Sequence, residues 1–149
     1  MDSSATILIV EDNPDDYEAC FTALTQDHNL ANPIYWCKTG DEALDYLCGN
    51  GAFAENKPAM PCLIMLDLNL PGTDGRQVLA QIKHDEMLRK IPVIVMTSSS
   101  DQADIDACYR EGANSYVVKP VDLNGFIEAI TRLRDYWFQI VVLPQPMGT

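Results

Sequence analysis

Glu11, Asp12, Asp67, Thr97 and Lys119 each stand just after a short apolar run: ILIV, LIML, VIVM and YVV. An acid after such a run is ordinarily a helix cap or a solvated strand end. Three carboxylates, a hydroxyl and a lysine form a different set if the runs are neighbouring strands that end on one rim. Two like charges about 4 Å apart repel by roughly 4 kcal/mol at an effective dielectric of about 20. Three carboxylates gathered there therefore require a cation. A hard divalent ion takes oxygen ligands, and Mg2+ keeps waters and phosphate oxygens in its shell. Asp12 and Asp67 suit direct ligation, Glu11 suits holding a metal-bound water, and the backbone carbonyl of Asn69 can complete the protein's share.

A carboxylate fixed beside such an ion can attack phosphorus in line, because the metal neutralises the oxygens of the transferring group. Asp67 is the expected nucleophile, and its product is an acyl phosphate. It follows the middle apolar run and precedes a tight Pro71-Gly72 turn that can present backbone N–H groups. Lys119 supplies a second positive centre, and the Thr97 hydroxyl can donate to a further phosphoryl oxygen.

These residues need a sheet to bring them together. Strand-like runs at 6–10, 34–37, 62–66, 93–96 and 116–118 alternate with helical patterns. The first helix is expected over 14–27, with Pro14 in its first turn and Tyr17, Cys20, Phe21 and Leu24 on one stripe. TGDE at 39–42 reads as a capping box, and Gly49 ends that helix. Residues 50–61 carry breakers and no period, which predicts a surface loop. Val78, Leu79 and Ile82 mark the third helix, and Gly112 stops the fourth. Asp122 caps the last, which runs through Phe126, Ile130 and Leu133 to Trp137. Strict alternation predicts parallel strands with right-handed crossovers and helices on both faces. Function then gathers beyond the C-terminal ends of the strands.

The set EDN at 11–13, LIMLDLNLPGTDG at 63–75, MTSS at 96–99 and YVVKP at 116–120 resembles the receiver domain of two-component response regulators. Four separated motifs in order make this resemblance specific, and it covers about residues 5–135. It implies a flavodoxin-like (βα)5 fold: a doubly wound five-stranded parallel sheet in the order 2-1-3-4-5. It implies a histidine kinase as donor and Mg2+ as cofactor, with Mn2+ or Ca2+ able to substitute in crystals. Phosphotransfer is then catalysed by the chain itself, with slow autodephosphorylation. Carried over residue by residue, Glu11 and Asp12 are the acidic pair, Asp67 the acceptor, Thr97 the switch hydroxyl, and Lys119 the family's lysine. Tyr116 matches an aromatic that swings inward on phosphorylation, and the bond from Lys119 to Pro120 is expected to be cis. VEDNPDD, the 50–61 loop and the tail LRDYWFQIVVLP narrow the resemblance to small regulators serving cyanobacterial phytochromes. One branch of that group lacks the acceptor aspartate; this chain has Asp67.

Composition bounds the alternatives. The 149 residues are 47% hydrophobic with a net charge of -12. That predicts one folded domain over 1–149, its core at about 5–135 and an apolar extension at 136–149, with no output domain. The acidic balance argues against nucleic acid and against an anionic membrane. No apolar run is long enough for a membrane span, and MDSSATILIVED does not read as a secretory signal. Five single cysteines at 20, 37, 48, 62 and 108 suit buried thiols in a reducing cytoplasm. His28 and His84 are expected to face solvent.

Phe126, Trp137, Phe138, Ile140 and Val141 are the expected interface of a homodimer, because so many apolar groups exceed what one sheet face can bury. Three rival readings fit less well. A haloacid-dehalogenase-type phosphatase needs a second carboxylate where Asn69 stands. A flavin carrier needs a glycine- and hydroxyl-rich loop where EDNPDD stands. A metal-blind pseudo-receiver acting only as a binding module would be expected to have lost Asp67, Asp12 or Lys119.

Overall fold

The computed structural model describes residues 5–26 and 31–140, with the backbone alone at 139 and 140. Five parallel strands, β1 (Ile7–Val10), β2 (Ile34–Cys37), β3 (Leu63–Leu66), β4 (Val93–Thr97) and β5 (Ser115–Val118), form one sheet in the order β2-β1-β3-β4-β5. Five helices alternate with them: α1 (Pro14–Thr25), α2 (Gly40–Cys48), α3 (Gly75–His84), α4 (Gln102–Glu111) and α5 (Leu123–Asp135). The expected fold class and strand order are both present.

The two faces of each strand feed two cores. Leu8, Val10, Ile64, Leu66, Val93 and Val95 pack beneath α2, α3 and α4. Ile7, Ile9, Leu63, Met65, Ile94 and Met96 pack beneath α1 and α5. Strands covered on both faces read as continuous apolar runs, which is why the inner three were so legible.

The caps follow the sequence with one adjustment. The Thr39 hydroxyl accepts from the Glu42 N–H at 3.0 Å, but the Glu42 carboxylate accepts from the Lys38 N–H at 3.2 Å, one residue before a closed capping box. The full box lies instead at α3, where Asp74 and Gln77 cap each other's backbone. The 50–61 segment is partly ordered: a short 3-10 turn, Gly51–Phe53, sets the Phe53 ring edge-on to Tyr46 at 5.2 Å.

Three side-chain expectations are corrected. Phe126 and Trp137 are 3% and 8% exposed and belong to the core under α1 and α5, so they are not interface residues of the folded chain. The helical stripe that carries them continues through a π-helical turn, Tyr136–Ile140, which keeps Trp137 against the domain. Phe138 is partly buried against the same core; Val141 and the Ile140 side chain lie outside the described residues. Phe21 is exposed rather than on the buried stripe of α1. Four cysteines are buried, and burial pushes the Cys20 and Cys37 thiols up to about 12; Cys48 is exposed. His84 is solvent-facing beside Glu111, and His28 lies outside the described residues.

Candidate functional site

Each acid or base on the rim is the residue that follows a strand, held there by one more rung of the ladder. The Glu11 N–H donates to the Cys37 carbonyl at 3.0 Å, the Asp67 N–H to Val10 at 3.0 Å and the Lys119 N–H to Thr97 at 2.8 Å. The backbone therefore aims their side chains over one edge.

The Lys119 ammonium is the hub. It lies 2.6 Å from Glu11 Oε1, 2.9 Å from Asp16 Oδ2 and 3.2 Å from Asp67 Oδ2. An ammonium has three donors, and three carboxylates take them. This happens with no cis peptide bond among the described residues, so the expected cis bond between Lys119 and Pro120 is corrected to trans. The ladder bond to Thr97 fixes the Lys119 backbone, and the four-carbon stem supplies the reach to the three carboxylates.

Surplus negative charge sets the electrostatics. Burial, followed by the charge of Asp67, pushes the Glu11 carboxyl up to about 8 against the opposing pull of Lys119. Burial pulls the Lys119 ammonium down, but its bonds to Glu11 and Asp16 outweigh that and hold it well above its ordinary value. Ligand oxygens of Glu11, Asp12 and Asp67 lie within 4.8 Å of one another. Glu11 and Asp67 are buried and Asp12 is exposed. An all-oxygen cluster, dry on one side and open to water on the other, fits a hard divalent cation that keeps part of its hydration shell.

Two glycines let the backbone close around this rim. A Cβ on Gly75 would sit 2.2 Å from the Asp67 carbonyl oxygen, so only glycine permits α3 to start against the acceptor strand. Gly72, at φ +71°, turns the loop before it.

The residues expected to relay a signal form a chain. Thr97 is fully buried, and its Oγ1 lies 3.4 Å from the Asn69 side-chain nitrogen and 3.4 Å from the Ser99 N–H. The Tyr116 hydroxyl donates to the Ser99 carbonyl at 3.0 Å. Ser99 also donates to Asp104 at 2.7 Å, and Arg76 holds Asp104 at 2.9 Å, tying the loop after β4 to α3 and α4.

The family sequence profile described as "Response regulator receiver domain" matches residues 7–131. The chain belongs to that family. Receiver relatives span nearly its whole length. It is 38% identical over 141 residues to Response regulator Rcp1 of Synechocystis sp., covering 93% of this chain and 92% of the relative. It is 36% identical over 134 residues to the probable methanogenesis regulatory protein FilR2 of Methanothrix harundinacea, covering 88% and 82%. Among solved structures, the Mn2+-bound form of Rcp1 superposes with a TM-score of 0.89 at 35% identity, covering 95% of this chain and 99% of that one. The phosphorylated cyanobacterial phytochrome response regulator RcpA superposes at 0.88 with 34% identity and the same coverage. In this chain the Glu11, Asp12 and Asp67 cluster has the donor set and spacing to hold a metal ion.

Sequence reasoning brought Glu11, Asp12, Asp67 and Lys119 of this receiver together, and Thr97 and Tyr116 both contact Ser99. It missed Asp16, the third carboxylate on Lys119. A signal was present: Asn13 caps α1 by accepting from the Asp15 and Asp16 N–H groups at 2.8 and 3.3 Å, so a first-turn acid had to lie near the rim. It also missed Trp36, whose indole N–H donates to the Glu11 carbonyl at 2.7 Å.

Proposed function

We propose that this receiver accepts a phosphoryl group from a histidine kinase onto Asp67 and signals by rearranging the face that carries Thr97 and Tyr116. The observation that carries the reading is the buried Lys119 ammonium, held by Asp67 and Glu11 on the rim that also bears Asp12. Asp67 Oδ forms the new bond to phosphorus while the phosphorus–nitrogen bond of the kinase's phosphohistidine breaks. The electron pair leaves with the imidazole, which takes a proton from solvent. Asp12, Asp67 and the Asn69 backbone carbonyl would hold Mg2+, with Glu11 holding one of its waters, and the bound ion would supply positive charge to offset that on the transferring group.

Lys119 already donates toward Asp67 and can pass that bond to a phosphoryl oxygen without leaving Glu11 or Asp16. The Thr97 hydroxyl is held by two long contacts of 3.4 Å, which are weak enough to exchange for a phosphoryl oxygen. Its movement vacates space that the half-buried Tyr116 ring can enter, carrying the Ser99 loop with it. Hydrolysis of the acyl phosphate resets the switch.

The likeness to the phosphorylated phytochrome regulator supports a light-regulated, phytochrome-type kinase as donor. The match over 7–131, with α5 and the following turn packed on the same core, supports one receiver unit. For a homodimer, the exposed Val118, Val121, Leu123 and Tyr136 on and beside β5 and α5 are better candidates than the buried Phe126 and Trp137.

The test is phosphotransfer from a purified phytochrome-type histidine kinase, and labelling by acetyl phosphate, each with Mg2+ and with chelator. Label that appears only with Mg2+ supports the switch. A chain that takes no label from either donor is the metal-blind binding module instead.

A further inference from the structure

Glu11 is clamped at both of its backbone polar atoms by β2. Its N–H donates to the Cys37 carbonyl at 3.0 Å, a rung of the parallel ladder. Its carbonyl accepts from the Trp36 indole N–H at 2.7 Å. β2 ends at Cys37, and the chain then leaves through Lys38 to Thr39, the cap of α2. A side chain takes over the hydrogen bonding where the backbone ladder stops.

The indole is itself held in place. The Tyr17 ring, from α1, stacks on it with centroids 4.1 Å apart and planes 2° from parallel. Lys38 Nζ also lies over the indole, 4.9 Å from its centroid. Offset stacking and a cation over the ring both fix the plane of an aromatic and hence the direction of its N–H. Trp36 is thus bracketed between the strand that carries it and the helix that carries Asp16.

The Glu11 carbonyl and the Asp12 nitrogen share one planar peptide unit. Fixing the carbonyl fixes the plane from which the Asp12 side chain projects. Asp12 is exposed, and no core packing orients it.

We propose that Trp36 is a positioning residue for the cation site: its N–H locks the peptide between Glu11 and Asp12 so that both carboxylates meet Asp67 at ligating distance. The inference rests on the cation site of the proposed function. Trp36 touches neither the cation nor the phosphoryl group and acts through that peptide alone. Groups that orient ligands from behind are worth much of a site's affinity. Loss of one neutral hydrogen bond to a backbone carbonyl is expected to cost less than loss of a group bonded to the ligating side chain itself.

The experiment compares wild-type chain with Trp36→Phe, which keeps a ring for Tyr17 to stack on and deletes the donor. Mg2+ binding is followed by calorimetry and by the indole N–H resonances. The Mg2+ Kd rises about three- to tenfold in Trp36→Phe, thermal stability changes little, and the lost labelling rate returns as Mg2+ is raised. In wild type, the indole resonance absent from Trp36→Phe shifts with Mg2+ at the calorimetric midpoint, while that of Trp137 stays still. Tyr17→Leu, which leaves the donor and loosens the ring, weakens binding less. An unchanged Mg2+ affinity in Trp36→Phe overturns the inference and leaves the phosphoacceptor reading standing. If Trp36→Phe does not fold, a wild-type Trp36 resonance that stays still through Mg2+ saturation, with unaltered affinity in Tyr17→Leu, overturns it equally. Wild-type chain that binds no Mg2+ overturns both.

Discussion

Lys119 and Glu11 meet at 2.6 Å although their strands, β5 and β1, do not pair; β3 and β4 lie between them. The lysine stem crosses the rim above those two strands and closes the site from its far side. Glu11 is almost wholly buried and Lys119 nearly so, with side chains 1% and 10% exposed. This contact decides how the metal-free chain tolerates its own carboxylates.

Removing the ammonium should therefore cost more than removing the acceptor. Lys119→Met leaves Glu11 and Asp67 buried with only backbone N–H donors, from Asn13 and Asn69, and no cation, and a broken buried pair costs about 3–5 kcal/mol. Urea unfolding without metal is expected to show a loss of that order, partly restored by Mg2+. Asp67→Asn removes one of three crowded charges at little change in volume, and Lys119 keeps Glu11 and Asp16. Its metal-free stability is expected to equal wild type or exceed it by about 1 kcal/mol.

Mg2+ affinity should rise with pH. Burial raises the Glu11 carboxyl from 4.5 to about 8 in the metal-free chain. A carboxyl raised in this way contributes stability that is fully present below its unfolded value and lost as pH climbs through its folded value. Mg2+ competes with that same proton. Calorimetric titrations between about pH 6 and pH 9 should show tighter binding and declining proton release as Glu11 ionises. Glu11→Gln should bind more weakly and flatten the dependence. A wild-type affinity independent of pH over that window would count against the assignment.

Much of this was legible because the apolar runs that define the inner strands also locate the residues after them. Asp67, Thr97 and Lys119 needed only the rule that parallel strands present their C-terminal ends together. What stayed hidden depends on distances between elements. Asp16 reads as a helix-start acid until α1 is seen to place it 2.9 Å from Lys119. Trp36 reads as a strand aromatic until its N–H is seen to meet Glu11. The cis bond after Lys119 was expected from the family resemblance, and no residue pattern around Pro120 distinguishes the two isomers. Phe126 and Trp137 were assigned to an interface because the capacity of the core under α1 and α5 cannot be counted from periodicity alone.

That core yields a test of the C-terminal segment. Trp137 packs with Leu24, Leu63 and Ile94 in the cluster beneath α1 and α5. Trp137→Ala should lower the stability of the chain by about 3–5 kcal/mol, read by urea unfolding at a concentration where sedimentation shows monomer. A loss that vanishes in monomer and appears only in dimer would return Trp137 to an interface.

The central claim is that Asp67 receives the phosphoryl group, and the direct measurement is to map the label. Wild-type chain and Asp67→Asn are treated with acetyl phosphate and Mg2+, then with borohydride, which reduces an acyl phosphate to homoserine, and digested for mass spectrometry. Homoserine is expected at position 67 in wild type and no incorporation in Asp67→Asn, with the mutant folded by circular dichroism. Full incorporation in Asp67→Asn, or wild-type label at another carboxylate with position 67 unmodified, would contradict the claim.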